Sequence, residues 1–235
     1  MRLSRCLLLL LCASPGLAQE IVVHFNPRPP YHVLSAGQLS GLTGEPIRRA
    51  LARAEITYVL QETPAARQLV MARENQGAHC FVGWYKTRER ERYARFSQPV
   101  YRDQPNIVLF AADNPRTNEI TSLKQLLAAP DLVLLSKKSY SYGPELDALL
   151  AQIRPVRQAV TVENLQMLKM LHARRADYMF MAPEELEPLL VAAQLARDDF
   201  VARRLPDMPQ GETRHLMCTR AVDPQLIERF DAALE

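Results

Sequence analysis

Short apolar segments alternate with amphipathic helical segments along almost the whole chain, and this alternation is the feature that most restricts the fold. Residues 21–25, 57–61 and 79–82 are apolar runs of strand length, and the segments between them carry apolar side chains at helical spacing. Strands separated by single helices pair in parallel through right-handed crossovers. The first third of the chain therefore predicts a mainly parallel sheet.

A second group of strands and helices follows in the middle of the chain, and a last strand and a helix capped by Asp223-Pro224 come after it. We expect that last helix to complete the first group. The sequence thus predicts an α/β protein of two lobes, with residues 19–109 and 206–235 in lobe 1 and residues 110–205 in lobe 2. Ligands of open α/β sheets bind beyond the carboxyl ends of the strands, so two such lobes would hold a ligand in the cleft between them.

The first eighteen residues have the pattern of a secretory signal peptide. Arg2 and Arg5 precede an unbroken leucine run at 7–11, and small residues lead to a predicted cleavage site after Ala18. The alternative is a membrane anchor, but the apolar run is shorter than the roughly 20 residues that a membrane span needs. We expect a periplasmic mature protein.

Composition and charge leave a soluble binding protein or an enzyme as the main classes. The 235 residues are 48% hydrophobic and 23% charged, which is an ordinary globular mixture. A net charge of +3 is too small to indicate a nucleic-acid-binding protein. The five histidines show no metal-ligand spacing, and no nucleophile motif is present, so we expect no metal, no cofactor and no catalysis.

Two cysteines remain after the predicted cleavage site, Cys80 and Cys218. In an oxidising compartment they can form one disulfide, and both fall in predicted strands. Two buried free thiols are the alternative, because the sequence does not give the distance between them.

The segment after the strand at 79–82 carries the clearest functional pattern. Thr87 can cap a short helix, and Arg90 three residues later falls on the same side of its first turn. A guanidinium beside the free N–H groups of a helix start is suited to clamp a carboxylate. Trp84 and Tyr85 would add an aromatic wall. The alternative is an exposed helix face, since residues 88–92 alternate between arginine and glutamate.

Several motifs in this order resemble those of family 3 extracellular solute-binding proteins, the polar-amino-acid-binding components of ABC importers. Thr87-Arg88-Glu89-Arg90 and the following Phe96-Ser97-Gln98-Pro99-Val100-Tyr101 are similar to the family's "T-x-E-R … F-S-x-P-Y" segment. Further resemblances cover almost all of the mature chain: Pro29-Pro30-Tyr31, the glycines between 37 and 44, Ser122-Leu123 with Leu126, and Arg175-Ala176-Asp177. The resemblance implies a type II periplasmic-binding fold.

The resemblance also implies roles for individual residues. Arg90 corresponds to the arginine that holds the ligand α-carboxylate, Thr87 to the residue that opens that turn, and Gly83 to a position whose backbone lines the cleft. Tyr85 stands where amino-acid-binding members have a small hydroxyl residue. Ala182 stands where an aspartate grips the α-amino group, and Glu184 is a nearby substitute. A carboxylate without an amine, or a larger solute stacked on aromatic rings, therefore fits better than an ordinary α-amino acid.

Other residues are candidates for the same cleft. Arg67 lies in the first turn of the helix after Thr63-Pro64, where a surface position is the alternative. The remaining candidates lie in turns after predicted strands, where ordinary packing or capping is the alternative: Arg28, Tyr31, Ser139, Tyr140 and Ser141.

The predicted function is capture of a small carboxylate-bearing or amino-acid-like solute by lobe closure. The expected partner of this monomeric protein is an inner-membrane permease, or a receptor if the chain is a sensory module. A dehydratase-like enzyme on the same fold is the remaining alternative, with Glu184 as its acid or base. The sequence does not identify the solute.

Overall fold

The computed structural model of the protein describes residues 19–138 and 140–234. The predicted signal peptide and Ser139 lie outside these residues. The strands form two separate sheets, one in each lobe, and a short hairpin of β2 (Val33–Ser35) and β3 (Gln38–Ser40).

The first sheet contains six strands: β1 (Ile21–Phe25), β4 (Tyr58–Glu62), β5 (His79–Tyr85), β6 (Ala94–Phe96), β7 (Tyr101–Arg102) and β13 (Thr213–Thr219). Their order is β4–β1–β5–β13–β6, and β7 also pairs with β13. β1 pairs in parallel with both β4 and β5, as the sequence pattern predicts. β13, the last strand of the chain, runs antiparallel to β5 and lies in the interior of the sheet.

The second sheet contains five strands: β8 (Ile107–Ala111), β9 (Leu134–Lys137), β10 (Arg157–Val160), β11 (Tyr178–Met181) and β12 (Phe200–Arg203). Their order is β10–β9–β11–β8–β12. β9, β10 and β11 are parallel, whereas β8 is antiparallel to both of its neighbours.

Helices cover both faces of each sheet, because each helix has one apolar side to bury. In lobe 1, α1 (Gly44–Arg53) and α8 (Pro224–Ala232) pack on one face and α2 (Ala65–Glu74) on the other. In lobe 2, α4 (Leu123–Ala128) and α5 (Pro144–Ile153) pack opposite α6 (Asn164–His172) and α7 (Leu186–Ala193). The one-turn helix α3 (Arg88–Glu91) follows β5. The packing of α8 in lobe 1 matches the expectation that the last helix completes the first group.

The chain crosses between the lobes twice, through residues 103–106 and 204–212. The first crossing lies before residue 107 and not after residue 109 as predicted, because β8 pairs along its whole length within the second sheet. The second crossing also leaves lobe 2 later than predicted, since Leu205 and Met208 are still packed in the lobe 2 core. The chain therefore passes from lobe 1 to lobe 2 at residues 103–106 and returns to lobe 1 close to residue 209.

The two crossings lie against each other. The Asp103 N–H donates to the Glu212 carbonyl at 2.9 Å, and Arg102 Nη1 donates to the Gly211 carbonyl at 3.0 Å. A Cβ atom at Gly211 would lie 1.8 Å from the Asp103 carbonyl oxygen, so only glycine fits there. The hinge thus consists of two adjacent, hydrogen-bonded segments without regular secondary structure.

Cys80 and Cys218 form a disulfide, which decides between the two alternatives left open by the sequence. The two residues are direct partners on the neighbouring antiparallel strands β5 and β13. The bond ties the first and last parts of lobe 1 together. Within the described part of the chain, no helix is long and apolar enough to cross a membrane.

Candidate functional site

The cleft between the lobes lies beyond the carboxyl ends of β1 and β5 in lobe 1 and of β9 and β11 in lobe 2. Tyr85 from lobe 1 faces Tyr140, Asn164 and Glu185 from lobe 2 around the remaining space. That space is about 10 Å³, which is about the size of one water molecule. The lobes are therefore closed on each other.

The segment Gly83–Tyr85 continues β5 and is not the loop that the sequence predicts. Arg214 and His215 of β13 pair with Tyr85 and Trp84, which holds the segment in the sheet. Gly83 has a φ of +74°, a left-handed conformation that favours glycine. Its carbonyl accepts from Arg214 Nη1 at 3.1 Å, which ties this part of β5 to the buried Arg214 side chain. That its backbone lines the cleft stays a prediction.

Thr87 caps α3 as predicted, accepting a hydrogen bond on Oγ1 from the Arg90 N–H at 3.3 Å. Arg90 is 6% exposed, and its Nη1 donates to the Tyr85 carbonyl at 2.9 Å. Its guanidinium lies 4.8 Å from the centre of the Trp84 ring. The side chain therefore turns inward and is not part of an exposed helix face.

Burial lowers the pKa of Arg90, while Tyr93, Tyr140 and other neighbours oppose that effect. Tyr140 and Asp147, which both act on this charge, belong to the second lobe. No carboxylate among residues 19–138 and 140–234 lies within 4 Å of the guanidinium. Arg90 is thus a buried cation that donates to a neutral carbonyl of its own lobe.

Trp84 is held from behind by α2, since its Nε1 donates to Gln68 Oε1 at 2.9 Å. Gln68 is fully buried and also donates to the Thr63 carbonyl at 2.7 Å. Arg67 is the next residue in the same helix, but it is exposed and lies 3.9 Å from Glu74. The prediction that Arg67 points into the cleft is therefore wrong: the buried face of α2 begins one residue later.

Tyr85 belongs to a buried network with Asp103 and Arg214. The Tyr85 hydroxyl donates to the Asp103 carboxylate, and Arg214 donates to both oxygens of that carboxylate, from Nε and Nη2, at 2.7 Å each. Burial raises the pKa of Tyr85 well above its usual value, although Arg214 acts in the opposite direction. Tyr31 packs flat under Arg214, with its ring centre 3.8 Å from the guanidinium carbon. The network fixes the floor of the cleft to the hinge.

Arg28 crosses the cleft and binds lobe 2. Its Nε and Nη2 donate to the two oxygens of Glu185 at 2.7 Å each, and Nη2 also donates to the Tyr140 hydroxyl at 2.5 Å. Burial by itself would raise the pKa of Glu185, but Arg28 outweighs it and the pKa lies below its usual value. The carboxylate therefore stays charged and paired.

The remaining predicted residues have other partners. Ser141 donates to Asp147 at 2.5 Å and accepts from the Gly143 N–H, which is the capping role left open as its alternative. Glu184 accepts from the Tyr101 hydroxyl and from the Gln104 N–H, so it joins the lobes beside the hinge. Ser139 lies outside the described residues.

Sequence reasoning missed four residues of this site: Asp103, Asn164, Glu185 and Arg214. The sequence signal for Glu185 is its position directly after Glu184 in the turn that follows β11, and it is Glu185, not Glu184, that pairs with Arg28. Arg214 and Asp103 are far apart in sequence and lie at the two lobe crossings. Nothing in either local sequence indicates that they meet.

Comparisons with solved structures support the two-lobe fold. ArtJ, an arginine-, lysine- and histidine-binding protein of Geobacillus stearothermophilus, superimposes with a TM-score of 0.71 at 12% identity over 92% of this chain and 87% of that one. A structure describing glutathione import through GshT and the cystine ABC importer TcyBC of Streptococcus mutans gives 0.70 at 12% identity, over 92% and 88%. A histidine kinase sensor domain with similarity to periplasmic binding proteins gives 0.69 at 16% identity, over 92% and 88%.

At these identities the structures establish the fold alone. A comparison with curated protein sequences finds no match. The model of the bacterial extracellular solute-binding proteins, family 3, matches residues 21–235, which include both lobes and the hinge. On that match, and with the fold in agreement, the chain is a member of the bacterial extracellular solute-binding proteins of family 3.

Proposed function

We propose that the protein captures a small anionic solute, a carboxylate without a neighbouring ammonium group, and that Arg90 is its anchor. The observation that carries the proposal is the buried Arg90 guanidinium, which has no carboxylate partner within 4 Å in the described chain. A buried charge is stable only when it is paired, so this position favours an anion from outside.

The other charged side chains of the cleft also support a negatively charged solute. Arg28 is matched by Glu185, and Arg214 is matched by Asp103. Lys137, which also lines the cleft, is matched by Glu163. Among these four cations, Arg90 is the one for which the described residues supply no carboxylate partner within 4 Å. A zwitterionic amino acid would also need a free acidic group for its ammonium, and Glu185 is already engaged by Arg28.

The walls of the cleft suit a partly apolar solute. Trp84 and Tyr85 lie beside Arg90, and the lobe 2 side presents three methionines, Met167, Met179 and Met181. Methionine and aromatic side chains accommodate flat or irregular apolar groups. Because the closed cleft leaves so little space, the lobes must separate at the two hinge segments to admit the solute.

The experiment is a thermal-shift screen of benzoate, 4-hydroxybenzoate, succinate, glutamate and arginine, followed by calorimetry on each hit. Arg90→Gln removes the proposed anchor, and Arg67→Gln is the matched control, because it removes an equal charge from the exposed face of α2. A charge-assisted bidentate contact predicts about a 100-fold weaker Kd for Arg90→Gln and an unchanged Kd for Arg67→Gln. An Arg90→Gln protein that binds the anion as tightly as the unmodified protein would refute the assignment.

Delivery of the solute to the permease of an ABC importer is the role that family membership favours, in the compartment to which the predicted signal peptide leads. The fold shared with a histidine kinase sensor domain favours a second candidate, a sensory module. Uptake of the labelled solute separates the two. Cells without the protein lose uptake if it serves an importer, and keep uptake but lose the transcriptional response if it serves a sensor.

A further inference from the structure

Arg28 occupies a complete receptor for a cation inside the cleft. Glu185 is 2% exposed and receives two hydrogen bonds from Arg28 and a third from Asn164 Nδ2, at 3.1 Å. The Arg28 guanidinium carbon lies 5.2 Å from the centre of the Tyr31 ring and 5.3 Å from that of Tyr140. A buried carboxylate flanked by two aromatic rings is a binding site for guanidinium or ammonium groups.

This cation comes from the opposite lobe and is held in place by its own backbone. The Arg28 N–H donates to the His32 carbonyl at 2.8 Å, and the Tyr31 N–H donates to the Arg28 carbonyl at 2.8 Å. The short turn fixes the Cα of Arg28 at the rim of lobe 1. Because the side chain is part of the same chain, it reaches the receptor without the loss of translational freedom that a separate cation undergoes on binding.

We infer that Arg28 determines the charge selectivity of the cleft by filling the cation receptor of Glu185, Asn164 and Tyr140 with its own guanidinium. The inference rests on the proposed function, which assigns the anion to Arg90. A solute that carries an ammonium or guanidinium group must displace Arg28 from a bidentate buried pair, whereas an anion does not. The protein therefore discriminates against cationic and zwitterionic solutes through a residue that does not touch the bound anion.

The inference predicts that removal of the side chain converts the receptor into an open site. The test compares the unmodified protein, Arg28→Ala and the double variant Arg28→Ala/Glu185→Gln in a thermal-shift titration with methylguanidinium chloride up to 10 mM. Sodium chloride at the same ionic strength is the reference. We expect the Tm of Arg28→Ala to rise by about 3 °C or more, and the Tm of the unmodified protein and of the double variant to stay constant.

Three results would overturn the role of Arg28. The first is methylguanidinium binding by the unmodified protein, an outcome that can be measured even if no variant folds. The second is an Arg28→Ala protein that folds but is not stabilised, and the third is equal stabilisation of the double variant. If Arg28→Ala does not fold, Arg28→Met, which keeps most of the buried volume, takes its place.

Failure of the proposed function has a different signature. If Arg90→Gln binds the carboxylate hit unchanged, the anchor is wrong, yet stabilisation of Arg28→Ala by methylguanidinium would still stand. Conversely, an Arg28→Ala protein that ignores methylguanidinium but binds the anion normally refutes the selectivity role and leaves the anion site intact.

Discussion

The buried pair between Arg214 and Asp103 is expected to dominate the stability of the hinge. Both side chains are 2% exposed, and two hydrogen bonds of 2.7 Å join them. Removing one member of such a pair leaves an uncompensated charge in the interior, which costs about 3–5 kcal/mol. We therefore expect Arg214→Met and Asp103→Asn each to lower the free energy of unfolding by about that amount.

The double variant Arg214→Met/Asp103→Asn is expected to lose much less unfolding free energy than the sum of the losses of the two single variants. Once both charges are gone, the remaining cost is that of the Gly83 carbonyl without its donor and an imperfectly bonded amide, about 2–3 kcal/mol in all. The coupling energy between the two positions should then be at least about 2 kcal/mol. Urea denaturation of the four proteins, followed by tryptophan fluorescence and circular dichroism, measures it.

A surface pair provides the control for this cycle. Arg116 and Asp131 also form an ion pair, but their side chains are 37% and 54% exposed. Exposed pairs contribute about 0–1 kcal/mol, so Arg116→Met and Asp131→Asn should change stability little. If the Arg214 and Asp103 substitutions prove additive within about 0.5 kcal/mol, the two residues do not act as a pair and the reasoning fails.

Three further predictions concern lobe 1. The bond between Cys80 and Cys218 closes a loop with a sequence separation of 138 residues, so C80A/C218A should lower the free energy of unfolding by up to about 5 kcal/mol. Denaturation of the variant and of the unmodified protein, each with and without reductant, measures the difference. Burial and the neighbouring His79 lower the pKa of His24 to about 4, so the folded state resists the proton that unfolded histidine takes up below about pH 6.5. Stability should then fall as the pH drops from 6.5 to 4, by up to about 3 kcal/mol, and denaturation at each pH should show a flatter profile for His24→Phe. Gly83→Ala should lower the stability by about 1–3 kcal/mol, and by more than Gly37→Ala. Both glycines have a positive φ, but of these two positions only 83 would bring a Cβ against side chains, at 3.2 Å. Equal losses of stability on thermal denaturation would contradict this reasoning.

The fold was accessible from sequence because the pattern that encodes it is local. The apolar run of β1 and the cap of α8 by Asp223 lie where the spacing predicts them. The extension of β5 through Tyr85 was missed, because Gly83 indicates a break. Pairing with β13, which comes from the far end of the chain, keeps the strand intact.

The site was less accessible because its contacts join residues from different lobes. Thr87 and Arg90 lie three residues apart, so their geometry follows from one helical turn. The partner of Arg28 is 157 residues away, and no local pattern distinguishes Glu185 from Glu184 as that partner. Charge pairing of this kind depends on how the lobes meet.

The interior position of β13 has a consequence for the order in which the molecule acquires structure. A chain that emerges from its amino terminus onward completes residues 107–208, a whole lobe with its own core, before Thr213–Thr219 exists to fill the gap between β5 and β6. Until then the earlier lobe exposes the unpaired edge of β5, together with an unbonded Cys80. The lobe that begins first is therefore completed after the other one, and its sheet stays open at β5 until residues 213–219 arrive.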